Sequence, residues 1–297
     1  MLLCATCANA VEYAYEPYRN GRMDPQISGW PLTPAAEAYV VIPEYSRKPG
    51  HESNQHLPAM WPVTPTAGYW GAADKPGNRS YLDLHARIVA QLDAHAGAID
   101  IMLLGDSITQ HWGGSTADSG PFRPAWQERF AAYRTVNAGI AGDRVENVLW
   151  RLEHGVLSTA RPAVIVLLIG VNNTPLVAQG VPTAAIAEGI RLCIANIREQ
   201  SPASHVIAVR ILPFGSPDEE NPGHAAAINQ AVDALQLEND PLVHRLDVGP
   251  DMRAVDGTVK PGMLAEDRLH VAEQGYETYG NQLKVLIDSI LGSAPTR

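Results

Sequence analysis

With 297 residues, 45% of them apolar, the chain is long enough for one large domain with a substantial core plus an appendage. Its formal charge of −10, with 22 dispersed Lys and Arg against 32 Asp and Glu, disfavours a nucleic-acid partner. No run approaches the roughly 20 apolar residues that a bilayer-spanning helix needs, so no membrane span is expected.

The chain begins with an apolar decapeptide ending Ala8-Asn9-Ala10, which resembles a signal-peptidase site but is shorter than a usual leader and has no basic start. The expectation is a secreted or periplasmic protein whose residues 1–23 carry a signal-peptide remnant, with a cytoplasmic terminus as the alternative. Residues 24–78 hold many of the 23 prolines, together with Trp30, Trp61 and Trp70, and show little periodicity. They read as an extended arm packed by its aromatic residues. Residues 79–297 form the main domain.

From there the pattern alternates. A helix with Leu84, Ile88 and Leu92 on one face precedes an apolar strand over 100–105, which runs into Gly105-Asp106-Ser107. A short strand at Val136-Asn137-Ala138 enters the glycine-rich turn Gly139-Ile140-Ala141-Gly142-Asp143. A helix with Val145, Val148, Leu149 and Leu152 precedes a strand over 163–169 that ends in Gly170-Val171-Asn172-Asn173. The next helix carries Ile186, Ile190, Cys193, Ile194 and Ile197 on one stripe, so Cys193 reads as a buried core thiol. A strand over 205–211, a helix around 224–238 and a strand over 243–247 follow. Asp267-Arg268-Leu269-His270 then precedes a closing helix with Tyr279, Leu283, Leu286 and Ile290. Near-continuous apolar strands alternating with helices of this length predict a parallel sheet of five strands covered on both faces.

Four blocks thus sit after strands: the serine turn, the glycine turn, Gly-x-Asn-Asn and the Asp/His pair. A serine hydroxyl is a weak nucleophile until a base, an orienter for that base and donors for the developing oxyanion surround it. Aspartate three residues before histidine suits a loop or one helical turn in which both side chains point the same way. A surface Asp/His pair is the bland alternative, outweighed by the company of the other blocks. Asp106 and Asp143 are expected to brace their turns through backbone hydrogen bonds. The remaining histidines show no paired spacing, and Cys4 and Cys7 form a lone Cys-x-x-Cys, so no metal and no cofactor is expected.

In this order the blocks resemble the SGNH (GDSL-type) serine hydrolases over roughly residues 80–292. The stretch from Gly142-Asp143 through Val148-Leu149-Trp150-Arg151-Leu152 is most like the platelet-activating-factor acetylhydrolase catalytic subunits and their bacterial esterase relatives. The resemblance implies a flavodoxin-like three-layer α/β/α sandwich. It also implies Ser107 as nucleophile, His270 as base and Asp267 as its orienter. The oxyanion hole would consist of the backbone N–H groups of Ser107 and Gly142 and the side-chain amide of Asn172. Asn173 stands where Asp is commoner in the family, a departure that the acetylhydrolase-like branch shares. The implied activity is hydrolysis of short acyl esters, acetyl above all, on carbohydrate or related polyol substrates, so the expected partner is a small-molecule or glycan ester. The alternatives are an acetylhydrolase of phospholipid or aryl esters, and an inactive binding protein on the same fold.

Overall fold

The computed structural model describes residues 81–95, 99–114, 122–215 and 220–292. The signal-like segment at 1–23 and the Pro/Trp-rich arm at 24–78 lie outside the described residues. Among the described residues no helix is long and apolar enough to cross a membrane.

The elements follow in the expected alternation. They are α1 (Tyr81–Ala94), β1 (Ile101–Gly105), α2 (Ser107–Gln110), α3 (Pro124–Phe130), β2 (Thr135–Gly139), α4 (Val145–Glu153) and β3 (Val164–Leu168). Then come α5 (Thr174–Ala178), α6 (Thr183–Gln200), β4 (His205–Val209), α7 (Glu220–Asp233), β5 (Val243–Leu246), α8 (Gly249–Met252) and α9 (Glu273–Leu291). The five strands form one sheet in the order β2-β1-β3-β4-β5, every pair parallel. β1 and β3 at its centre are buried at every residue, as strands covered on both faces must be. Each Val, Leu or Ile fully buried there contributes about 1.5–3 kcal/mol, so the apolar runs set the position of these two strands. Helices α4 and α7 each pack on α6, and α3 packs on α9, as the helical layers of a three-layer α/β/α sandwich. Cys193 lies in the core with Ile186, Ile194 and Ile197, and burial pushes its thiol pKa up, which leaves it unreactive.

Three element ends differ from the sequence expectation by more than one residue. β4 stops at Val209 instead of running to residue 211, because the Asn229 side chain takes both backbone groups of Ile211, at 2.9 and 3.0 Å. The helix expected over 224–238 runs from Glu220 to Asp233, and Gln236 beyond it takes a left-handed φ of 50°. Helix α3 was not anticipated, although Pro124 at its first turn is a helix-start signal.

The strand order reverses at β1, with β2 on one side and β3 on the other. In open parallel sheets, ligands bind in the crevice outside the carboxyl ends of the strands at such a point. Ser107 follows β1 and Asn172 follows β3, so both border this crevice.

Candidate active site

β1 delivers Ser107 through a tight exit. A Cβ on Gly105 would overlap the Leu168 carbonyl of β3, so only glycine lets the two strands lie this close at the end of β1. Asp106 then caps α2, its Oδ1 accepting from Ile108 N at 2.9 Å, and Ser107 becomes the first helical residue, not a loop residue. A first-turn N–H has no intrahelical acceptor, so the Ser107 amide points its donor out of the helix end. The Ser107 residue is 8% exposed.

The Asp267/His270 turn meets Ser107 from the far end of the sequence. His270 Nε2 lies 2.9 Å from Ser107 Oγ, and His270 Nδ1 lies 2.5 Å from Asp267 Oδ2. A tautomer protonated on Nδ1 satisfies both contacts: Nδ1–H donates to the carboxylate, and Nε2 accepts from the serine hydroxyl. Asp267 Oδ1 accepts from Leu269 N and His270 N at 3.0 and 2.9 Å, so one carboxylate folds the turn and aims the ring. Arg268 between them takes φ 58°, uncommon for a residue with a side chain. That geometry is held by Arg268 N donating to Ala265 O and by Gly215 N donating to Arg268 O. Partial burial tends to raise the pKa of Asp267, but the bonds from the His270 ring and from the turn amides outweigh it and lower it to about 2. The carboxylate therefore stays ionised at any pH well above about 2.

The glycine turn after β2 supplies a second donor. Gly142 has φ 83°, a region open to glycine at no steric cost. Its neighbours' N–H groups are occupied: Ala141 N donates to Gln110 Oε1 at 2.6 Å, and Asp143 N to Ile140 O at 3.1 Å. The Gly142 N–H has no partner among the described residues. After β3, Asn172 donates through Nδ2 to Asp143 O at 2.8 Å, which orients the amide and leaves its second N–H hydrogen for another acceptor. Asn173 does different work. Its Oδ1 accepts from Val145 N at 3.1 Å and its Nδ2 donates to Glu146 Oε2 at 2.9 Å, which ties the start of α4 to the β3 exit.

Ser107 and Asp267 thus each contact His270, while Gly142 and Asn172 are joined through Asp143 at the same end of the sheet. The brace expected of Asp106 is present. The Asp143 carboxylate also takes the buried Arg151 guanidinium, at 2.7 Å. Reasoning from sequence also passed over Gln110 and His111. The His111 ring lies 4.8 Å from that of His270, and Arg123 Nε donates to its carbonyl at 2.5 Å. Desolvation, then the neighbouring His270 and Arg123, lower the pKa of His111, which favours a neutral ring beside the site. A charged residue inside the apolar run Leu149-Trp150-Arg151-Leu152 was the available signal for Arg151; nothing in the spacing marks Gln110 or His111.

The comparison with known proteins fits this geometry. The profile of the GDSL-like lipase/acylhydrolase family matches residues 103–278, well over half of the chain and every residue of the site. The chain belongs to this family. As a GDSL-type protein it is a carboxylic ester hydrolase with an SGNH fold. It is 29% identical over 221 residues to the platelet-activating factor acetylhydrolase IB subunit alpha1 of Pongo abelii, covering 73% of this chain and 87% of that protein. Among solved structures it superposes on a GDSL-like lipase from Bacteroides thetaiotaomicron with a TM-score of 0.55 at 16% identity, covering 69% and 97% of the two chains. An acetylxylan esterase from Geobacillus stearothermophilus matches with a TM-score of 0.51 at 19% identity, covering 68% and 98%.

Asp106 yields a test that does not depend on catalysis. It is completely buried, and desolvation raises its pKa from 3.8 to about 7, with Asp143 adding to the rise. The folded state therefore binds this proton more tightly than the unfolded chain, and stability falls as pH climbs between the two values. Asp106→Asn keeps an acceptor for Ile108 N and removes the buried charge. The variant should have the higher thermal midpoint at about pH 8, with the gap closing toward about pH 4. Thermal melts across that range check this, and a gap independent of pH would contradict it.

Proposed function

We propose that the protein is a serine esterase that removes acetyl groups from carbohydrate or related polyol substrates through an acyl-enzyme. The observation that carries the reading is the 2.9 Å contact of His270 Nε2 with Ser107 Oγ, backed by Asp267 at 2.5 Å. In this reading Ser107 Oγ attacks the ester carbonyl as its proton passes to His270 Nε2, and Asp267 stabilises the imidazolium. The negative charge on the carbonyl oxygen is met by the N–H groups of Ser107 and Gly142 and by Asn172 Nδ2. Collapse expels the alcohol, which takes the proton from His270. Water then attacks the acyl-enzyme with His270 again as base, releases the acid and restores Ser107.

Support for acetyl comes from the relatives, since the acetylhydrolase subunit and the acetylxylan esterase share that acyl group by name. The xylan-deacetylating neighbour supports a glycan, and Ala8-Asn9-Ala10 supports export to where polysaccharide lies. The 29% identity to platelet-activating factor acetylhydrolase favours a second reading, an acetyl-phospholipid. A chain-length series of aryl esters tests the acyl group. A small pocket predicts activity falling steeply from acetate through butyrate to octanoate. A pocket that accepts the chain would gain about 0.8 kcal/mol per buried methylene and invert the order, which would remove the deacetylase reading. Acetylated xylan against an acetyl-phospholipid then separates the two alcohols.

A further inference from the structure

Behind the glycine turn lies a buried cation. Arg151 is 0% exposed on α4, and its Nη1 donates to Asp143 Oδ2 at 2.7 Å, with both side chains wholly out of solvent. Its Nη2 donates to the carbonyl of Ala138, next to the last residue of β2. The guanidinium therefore clamps the two ends of the turn Gly139–Asp143 together. Everything proposed to hold the oxyanion, apart from the Ser107 amide, hangs from that turn. Gly142 lies inside it, and the Asp143 carbonyl orients the Asn172 amide at 2.8 Å.

We infer that Arg151 is a positioning residue for the oxyanion donors, acting through Asp143. This inference rests on the proposed roles of Gly142 and Asn172. An ion pair in the interior is weak evidence for a stabilising role, because burying two charges costs nearly what their attraction returns and apolar residues of similar volume often do as well. Apolar packing would fill the space without giving direction. The fork of the guanidinium fixes both the Asp143 carboxylate and the Ala138 carbonyl, and so fixes where the Gly142 N–H and the Asn172 amide point. A donor moved by a fraction of an ångström still binds substrate but meets the transition-state charge less well.

A double-mutant cycle on kcat tests this, using an aryl acetate well below each variant's thermal midpoint. Arg151→Met is expected to lower kcat between about tenfold and a hundredfold with KM little changed, less than outright loss of a donor. In an Asn172→Ala background the same substitution should cost clearly less, because one donor that it misplaces is already gone. Arg151→Lys keeps the cation but not the fork; it should restore part of kcat, and it carries the same cycle where the Met variant does not fold. Arg198→Met supplies a structural control, since Arg198 pairs with Asp240 at 2.9 Å beside the opposite end of the sheet, and it should lower the thermal midpoint without changing kcat. Unchanged kcat in the Arg151 variants, or strict additivity with Asn172→Ala, would overturn the inference while leaving the oxyanion reading standing. An Asn172→Ala single variant with wild-type kcat would instead overturn that reading and the inference with it.

Discussion

Ser107→Ala is expected to abolish ester hydrolysis, lowering kcat on the order of 10⁶-fold, the scale seen when a serine nucleophile is removed from a complete triad. The residue lies at the start of α2, and the contact recorded for its Oγ is with His270 Nε2, so removing the hydroxyl should leave folding intact. The Asp106 cap and the bond from Tyr276 OH to Ile108 O at 2.6 Å, which anchors α2 to α9, do not involve that oxygen. Turnover of an aryl acetate, measured beside the thermal midpoint, checks both halves. Substantial activity in the alanine variant would mean that another group attacks the carbonyl.

Asn172→Ala is expected to lower kcat about 10²–10³-fold with KM nearly unchanged, the cost of removing one preorganised donor. The amide is held at 2.8 Å by the Asp143 carbonyl before any substrate arrives, and that preorganisation is what makes a donor effective as charge develops. Asn173→Ala should behave differently, because that side chain is buried and bonded to Val145 N and Glu146. Its loss strands two buried polar groups, so the first effect should be on the thermal midpoint. A change confined to KM in Asn172→Ala would make Asn172 a substrate-binding residue.

The parts of this site that sequence reveals are those carried by short-range pattern. An apolar run that stops at Gly105-Asp106-Ser107 announces both a central strand and a side chain presented at its carboxyl end. The spacing of Asp267 and His270 announces a shared turn, because one carboxylate can reach two amides and a ring only over that distance. What stayed hidden depends on partners far apart in the chain. The end of β4 is set by Asn229, 18 residues beyond Ile211, and no local pattern at 205–211 registers it. Nearer in the chain, Arg151 is marked only as a charge inside an apolar run, and its pairing with Asp143 appears only once α4 buries it. His111 reaches the site only because β1 brings α2 beneath a loop 159 residues later, the separation between His111 and His270.

The central claim is that Ser107, activated by His270 and Asp267, is the atom that takes the acyl group. Treating the enzyme with a fluorophosphonate, then mapping the modified peptide by mass spectrometry as residual activity is followed, tests it most directly. The account predicts a single phosphonyl adduct on Ser107, with activity lost in step with labelling. Labelling should be absent in Ser107→Ala and greatly slowed in His270→Ala. An adduct on a different residue that tracks the loss of activity, or full modification of Ser107 with hydrolysis intact, would contradict it.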